Sequence, residues 1–139
     1  MHILDTDTLT HLHAGHSRVR QRLQELDDPE VAITVITRIE VLRGRFDFIL
    51  KAATGADLLK AQRFLTRSED LLEQIVTLPL NEQSAAEFDR LKVSGRLSKI
   101  GRADLLIASI ALSYRAILVT RNIRHFSQVP GLTIVNWID

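Results

Sequence analysis

Four polar residues, spread along the chain, have the side chains that a divalent-metal site requires. Asp5, Glu40 and Asn122 each follow a short apolar segment, and Asp104 lies three residues after Gly101 at the start of the most apolar stretch. Carboxylate and carbonyl oxygens are the ligands that Mg²⁺ and Mn²⁺ prefer, and these ions commonly bind phosphate. The residue types therefore predict a Mg²⁺ or Mn²⁺ site whose protein ligands are three carboxylates.

Three carboxylates that converge in a partly buried cleft repel one another, and a divalent cation between them removes that repulsion. Such an ion lowers the pKa of a bound water and offsets the charge that develops on a phosphodiester during cleavage. The helix N-termini expected beside these acids add partial positive charge, which favours an anionic substrate. We therefore expect Asp5, Glu40 and Asp104 to be the metal ligands of a phosphodiester-cleaving site.

Each of these residues also fits a plain helix cap. Asp5 suits an N-cap position, Thr37 and Glu40 have the spacing of a capping box, Asp104 is a favourable acid in a first turn, and Asn122 suits the cap of a short helix. Caps of this kind contribute on the order of 1 kcal/mol each. Taken singly, capping explains each residue better than metal binding does, so the metal hypothesis depends on their joint placement.

Short apolar segments alternate with longer helical patterns along the whole chain. The segments that predict strands are residues 2–4, 31–36, 75–80, 116–119 and 132–135. The helical patterns include a polar helix over 17–26, a helix that opens at 37–40 and meets Gly44, an amphipathic helix after Gly55, and a buried helix over 101–112. This alternation predicts an α/β fold with a mostly parallel sheet, covered by helices on both faces.

The predicted sheet indicates where the polar residues should meet. In open parallel sheets, sites lie beyond the carboxyl ends of the strands. Asp5, Glu40 and Asn122 all follow predicted strands, so we expect them at one edge of the sheet. Asp104 joins them if its helix starts at that edge.

Length and composition restrict the classes of protein that the chain can represent. Its 139 residues predict a single domain, residues 1–139, and 45% hydrophobic with 25% charged residues is typical of a globular chain. The absence of cysteine excludes disulfides and thiolate metal sites, and suits a cytoplasmic protein. We expect neither a signal peptide nor a membrane span, because no apolar run is long enough. A net charge of +1 does not by itself indicate a nucleic-acid-binding protein.

The strings that surround the polar residues span the chain in order. They are ILDTD at 3–7, ITVITRIEVLRG at 33–44, IGRADLLIASIA at 100–111, LVTRNIRHF at 118–126 and PGLTIVNW at 130–137. Together they resemble the PIN-domain ribonucleases, and most closely the VapC-type toxins of bacterial toxin–antitoxin pairs. Each string alone is of moderate specificity, but their order over the whole chain is specific.

The resemblance implies a fold, an activity and partners. The fold is PIN-like, with a parallel sheet of about five strands. The activity is Mg²⁺- or Mn²⁺-dependent endoribonuclease cleavage of RNA, and the partners are a cognate antitoxin and, in a homodimer, a second copy of the chain. The family's acids correspond to Asp5, Glu40 and Asp104, and its polar residue after strand four corresponds to Asn122, with Thr120 just before it.

Two positions depart from the family's usual pattern. Many relatives have Asn where this chain has Asp7, so an extra acid is expected to adjoin the site. Some PIN nucleases have Asp where this chain has Asn122, and an amide does not contribute a full negative charge to a second metal. The sequence therefore leaves a one-metal and a two-metal mechanism open.

Several basic residues are further candidates for contacts with RNA. His125 lies three residues after Asn122 and is expected to assist at the substrate phosphate without being essential. Arginines near the acids are candidates for phosphate clamps or for ordinary surface charge: Arg38, Arg43, Arg45, Arg102 and Arg121. The histidines at 11, 13 and 16 lack the i, i+4 spacing of a helical zinc pair, which favours a solvated loop or helix end.

Residues 46–50 form an apolar patch, for which core packing is the default and a partner groove the alternative.

Two other functions remain open. The DTDTL string that begins at Asp5 is also similar to the first motif of haloacid-dehalogenase-type phosphatases, in which the first Asp is a nucleophile. Those enzymes also need a late acidic pair after a strand, whereas residues 120–122 are Thr-Arg-Asn. The other alternative is a non-catalytic PIN domain that binds RNA or protein, against which the three intact acids argue.

Overall fold

The computed structural model of the chain describes residues 1–95, 97 and 99–139. The elements are, in chain order, β1 (His2–Leu4), α1 (Thr6–His13), α2 (Ser17–Glu25), β2 (Val31–Thr34), α3 (Val35–Leu50), α4 (Gly55–Glu73), β3 (Val76–Leu78), α5 (Glu82–Val93), α6 (Arg102–Ser113), β4 (Ile117–Val119), α7 (Ile123–Phe126) and β5 (Thr133–Val135). The strands form one five-stranded sheet in the order β3-β2-β1-β4-β5, and every neighbouring pair is parallel. The predicted parallel α/β sheet is confirmed.

The three central strands, β1, β2 and β4, are largely buried on both faces because they are predominantly apolar. Ile3 and Leu4 are both fully buried, yet they belong to different hydrophobic clusters, since successive side chains of a strand point to opposite faces. One cluster contains residues of α5, α6 and α7, and the other contains residues of α1, α2 and α4. Six residues of α6 are buried, as expected of the most apolar helix.

The region after β2 differs from the prediction. Strand β2 ends at Thr34, and Val35 and Ile36, predicted as strand, form the first turn of α3. The reason is local: the Thr34 hydroxyl accepts a hydrogen bond from the Thr37 N–H at 3.2 Å and caps the helix three residues early. The predicted capping box of Thr37 and Glu40 is therefore wrong, and Glu40 lies in the second turn of α3.

Helix α3 also runs past Gly44, the glycine that the predicted helix meets. It continues through Gly44 to Leu50 and packs against α4, which follows after a short connection. A glycine inside a helix costs only about 1 kcal/mol relative to alanine, which packing against a neighbouring helix offsets. The expected core packing of residues 46–50 is wrong for the aromatic pair, because Phe46 is 55% exposed and Phe48 is 41% exposed.

Candidate functional site

A cavity of about 410 Å³ lies at the carboxyl edge of the sheet, next to the ends of β1 and β4. Its walls contain all four residues that the sequence singled out for chemistry, together with residues of α1 and α7: Asp5, Thr6, Asp7, Thr10, Glu40, Asp104, Asn122 and Phe126. We call this space the acid cavity. Its position arises from the parallel sheet, which delivers the loops after its strands to one edge.

Asp5 is both a helix cap and a wall of the acid cavity. It directly follows β1, and its Oδ1 accepts a hydrogen bond from the Thr8 N–H at 2.8 Å, which starts α1. The side chain is buried, and burial raises the pKa of its carboxyl group, although hydrogen bonds from Thr120 and Thr8 act in the opposite direction. The cap therefore holds in place a carboxylate whose ionisation is disfavoured.

Asp104 lies in the first turn of α6 without acting as its N-cap, which is Gly101. Burial raises the pKa of this carboxyl group, and the negative charges of Asp5 and Glu40 raise it further. Asn122 and His125 only partly offset this effect. Asp104 is thus close enough to Asp5 and Glu40 to be affected by their charges, although the three residues are far apart in the sequence.

Glu40 reaches the acid cavity from the second turn of α3, and its orientation depends on a residue that the sequence reasoning missed. The Thr6 hydroxyl donates a hydrogen bond to Glu40 Oε1 at 2.6 Å, and the Thr6 and Thr37 hydroxyl oxygens lie 3.0 Å apart. These contacts join the start of α1 to α3. The one available signal was that Thr6 stands between two acids in the DTD string.

Asn122, Thr120 and His125 form a hydrogen-bonded group after β4. The Asn122 N–H donates to the Thr120 hydroxyl at 2.9 Å, and Thr120 is fully buried. The Asn122 side-chain nitrogen lies 2.9 Å from His125 Nδ1. Asn122 precedes α7 but makes no side-chain cap hydrogen bond, so capping does not explain this residue.

The remaining candidate site residues lie in different parts of the structure. Asp7 lines the acid cavity but is exposed, with its Oδ1 3.4 Å from His11 Nδ1. Arg102 is not brought into this cavity: its guanidinium carbon lies 5.3 Å from the centre of the Phe88 ring, and it lines a separate cavity beside α5. Two of the arginines form ion pairs elsewhere, namely Arg38 with Glu73 and Arg121 with Asp139.

The donor set of the acid cavity fits a hard divalent cation. Among the residues that the structure describes, the atoms available in its wall are oxygens of carboxylates, hydroxyls and one amide, and no Lys or Arg lines it. Within the same residues, no three acidic or histidine side chains are already arranged as a complete ligand set. Mg²⁺ does not need one, because it usually binds through one or two carboxylates and keeps waters or substrate phosphates as its other ligands.

Among the residues that the structure describes, no helix is both long enough and apolar enough to traverse a bilayer.

Comparison with known proteins agrees with the fold. A family model described as PIN domain matches residues 2–132. Ribonuclease VapC2 of Haemophilus influenzae is 36% identical over 134 residues, which cover 84% of this chain and 99% of that protein.

Solved structures give the same result. The VapBC-1 structure from nontypeable Haemophilus influenzae contains a chain that is 26% identical, with a TM-score of 0.78 and coverage of 99% of this chain and 98% of that one. A toxin–antitoxin complex from Klebsiella pneumoniae contains a chain with a TM-score of 0.71 and 24% identity, covering 97% of this chain and 96% of that one.

Proposed function

The chain belongs to the PIN domain family, and from this premise we propose that it is a divalent-metal-dependent endoribonuclease that serves as the toxin of a toxin–antitoxin pair. The observation that carries the proposal is the uncompensated charge of the acid cavity. Asp5, Glu40 and Asp104 share one cavity that no basic side chain of the described residues lines, and the pKa of Asp104 is raised by burial and by the other two acids.

Asp5, Glu40 and Asp104 would hold Mg²⁺ or Mn²⁺. When bound, the ion would activate a water molecule and offset the charge that develops on the scissile phosphodiester. Thr6 keeps the Glu40 carboxylate turned toward the cavity, and the Thr8 N–H does the same for Asp5. This positioning matters because misplaced ligands lose affinity even when every donor atom is present.

The group formed by Thr120, Asn122 and His125 would position the substrate. Thr120 fixes the backbone of Asn122, and the Asn122 side chain contacts His125 at the rim of the acid cavity. Because Asn122 is neutral, it supplies no full charge to a second cation, and a single tightly held ion is the simpler arrangement. His125 would assist at the phosphate without being the essential base, because a bound ion would already activate the attacking water.

The two alternative functions differ in whether they agree with the family match. A haloacid-dehalogenase-like phosphatase is excluded, because the family model that matches residues 2–132 is that of the PIN domain. A non-catalytic PIN domain that binds RNA or protein remains the second candidate. A protein that only binds RNA or another protein does not require three acids in one cavity. Measured binding of a divalent metal at these acids would distinguish the nuclease from the binding module.

The proposed partners follow from the comparisons. An RNA substrate is supported by the name of the Haemophilus influenzae relative, and a protein antitoxin by the likeness to the Klebsiella pneumoniae toxin–antitoxin complex. We place the activity in the cytoplasm, where RNA is present. The expected homodimer stays a prediction.

The experiment is cleavage of a mixed pool of single-stranded and structured RNA by the purified protein. We expect cleavage with Mn²⁺ or Mg²⁺ and none in excess EDTA. The control for contaminating nuclease is Asp104→Asn, purified in the same way, which should be inactive with metal. Equal cleavage with and without EDTA, absent from the variant preparation, would refute metal dependence.

The toxin assignment has its own test in cells. Expression of the chain alone should arrest growth, and co-expression with the neighbouring gene should relieve the arrest. Asp5→Ala should abolish the arrest at equal protein level. If growth stops as strongly with Asp5→Ala, the toxicity does not arise from the acid cavity.

A further inference from the structure

A second cavity, of about 260 Å³, lies beside the acid cavity and has the opposite charge. It forms where α1, α3 and α4 meet, and the residues that matter for its chemistry are Thr10, His13, Arg45, Phe64, Arg67 and Ser68. We call it the basic cavity. Thr10 lines both cavities, so they share a wall.

Arg45 is held in position inside the basic cavity. Its Nε donates a hydrogen bond to the Ser68 hydroxyl at 2.8 Å, and its guanidinium carbon lies 5.5 Å from the centre of the Phe64 ring. Ser68 is itself buried. A guanidinium has five N–H donors in a fixed plane, so the contact through Nε leaves its two terminal nitrogens available for a ligand.

The positive charge of the basic cavity has no carboxylate partner within the described residues. Arg45 and Arg67 both line it, and neither takes part in the ion pairs found there. A buried or half-buried arginine usually has an anionic partner, because the guanidinium is always charged. Arg45 is half-buried and Arg67 is exposed, so the cavity holds one sheltered guanidinium and one accessible guanidinium. Without a carboxylate beside them, this is the arrangement expected of an anion site.

His13, the last residue of α1, lines the basic cavity together with the two arginines and Thr10. Its side chain is partly buried, and burial together with the charges of Arg45 and Arg67 lowers the pKa of its imidazole. The expected helix-end position of this histidine is confirmed, but its side chain is partly buried instead of fully solvated. A neutral imidazole provides one more hydrogen-bond donor without adding a third positive charge.

We infer that the basic cavity is a subsite for a phosphate of the RNA backbone, next along the strand from the phosphodiester that occupies the acid cavity. The inference rests on the proposed function. Arginine binds phosphate through two parallel hydrogen bonds, and a held guanidinium loses little entropy when it does so. An RNA strand carries a phosphate at every nucleotide, so a strand cleaved in the acid cavity brings another phosphate to the neighbouring wall.

The subsite would also explain how a chain with a net charge of only +1 attracts RNA. Three acids repel the phosphates that they must act on, and a cation-lined cavity that shares a wall with them supplies a local attraction. The same chemistry suits a carboxylate of a protein partner. RNA is favoured because Thr10 joins the basic cavity to the acid cavity, where the substrate must lie.

The test measures binding of a fluorescently labelled, single-stranded 20-nucleotide RNA in EDTA over a series of salt concentrations. Arg67→Gln should weaken binding about tenfold, because a hydrogen bond to a charged group is lost. It should also reduce the slope of log affinity against log salt by about 0.7, the value for one phosphate contact on a single strand. The matched control is Arg63→Gln, one turn earlier on α4 and outside the cavity, which should change the slope less.

A second variant separates charge from orientation. Ser68→Ala keeps both arginines but removes the hydrogen bond that holds Arg45, so RNA should bind more weakly with the salt slope unchanged. Thermal melts of each variant show that it is folded. Equal slopes for Arg67→Gln and Arg63→Gln would overturn the subsite, as would an Arg67→Gln variant that binds RNA normally but no longer binds the protein encoded by the neighbouring gene.

The outcome is independent of cleavage, because EDTA removes the metal. If the parent cleaves RNA with Mn²⁺ but Arg67→Gln behaves as Arg63→Gln does, the subsite is wrong and the proposed function stands. If the parent binds RNA through Arg67 but never cleaves it, the subsite stands and the catalytic proposal is wrong.

Discussion

The two ends of the central strand β1 place aspartate side chains in opposite electrostatic environments. At its amino end, Asp28 accepts hydrogen bonds from the Glu30 N–H at 2.9 Å and from His2, whose Nδ1 lies 2.7 Å away. The backbone N–H of Glu30 and the side chain of His2 hold the pKa of Asp28 far below its ordinary value. At the carboxyl end, burial raises the pKa of both Asp5 and Asp104.

The difference separates an acid that stabilises the fold from acids that cost stability. Asp28 ties the start of β1 to the loop before β2, where donors surround its charge. Asp5 and Asp104 also accept hydrogen bonds, but burial outweighs them, and the charges of Asp5 and Glu40 raise the pKa of Asp104 further. Carboxyl groups with raised pKa values at the edge of the sheet where sites form are therefore the candidates for function.

The largest expected effect is on RNA cleavage. Asp5→Asn and Asp104→Asn should each lower the cleavage rate by at least about 100-fold, since even the outer partners of metal ligands cost 10–100-fold. Asp28→Asn, at the opposite end of the same strand, should cleave at the parental rate at a temperature where it is folded. The rates are measured with Mn²⁺ in excess. A comparable loss in all three variants would mean that the two ends of β1 do not differ in function.

The second effect is on stability, where the two ends should respond with opposite signs. In EDTA at pH 7, Asp104→Asn should melt above the parent, by about 4 °C for each kcal/mol of repulsion removed. Asp28→Asn should melt below the parent, because the replacement removes a carboxylate charge that hydrogen-bond donors stabilise in the folded state. If Asp104 were only a first-turn acid, its replacement would instead remove a favourable helix-dipole contact and lower the melting temperature.

The pH dependence of these differences follows from linkage. The folded pKa of Asp28 lies below the ordinary value of 3.8, so its contribution is present above pH 3.8 and is lost as the pH falls through the folded pKa. The folded pKa of Asp104 lies above 3.8, so its penalty is absent below pH 3.8 and grows as the pH rises through the folded pKa. Melts from pH 3 to 8 should show the Asp104→Asn advantage only on the neutral side.

Some features of this comparison could be predicted from the sequence, and others could not. Alternating apolar segments and helices predict the parallel sheet, and the sheet edge predicts that Asp5 and Asn122 meet, because the ends of β1 and β4 are local signals. The Thr34 cap was missed since β-branched residues favour strands until a competing hydroxyl starts the helix. The single domain of residues 1–139 stays a prediction.

Contacts between distant residues were not accessible from the sequence at all. Thr6 meets Glu40 across 34 positions, and His2 meets Asp28 across 26. Arg45 meets Ser68 across 23. No pattern in a single sequence links such pairs, because they depend on how separate helices, strands and loops pack together. The sequence therefore predicts which acids gather, but not which side chains orient or compensate them.

The smallest expected effect concerns His125, which lies at the rim of the acid cavity and contacts Asn122. His125→Ala should lower the cleavage rate only severalfold and leave metal binding unchanged, because the imidazole assists at the phosphate and is not a ligand. The measurement is the cleavage rate with saturating Mn²⁺, accompanied by a thermal melt. Complete loss of cleavage in a folded variant would make His125 a catalytic residue.

Direct binding of Mn²⁺, followed by calorimetry or by the spin signal of the free ion, tests the central claim without any RNA. The three proteins to compare are the parent, Asp104→Asn and Asp28→Asn, each folded and freed of metal. We predict that the parent and Asp28→Asn bind Mn²⁺ with the same affinity, and that Asp104→Asn binds it at least about tenfold more weakly. Equal binding by all three proteins, or none by the parent, would contradict a metal site at the carboxyl edge of the sheet.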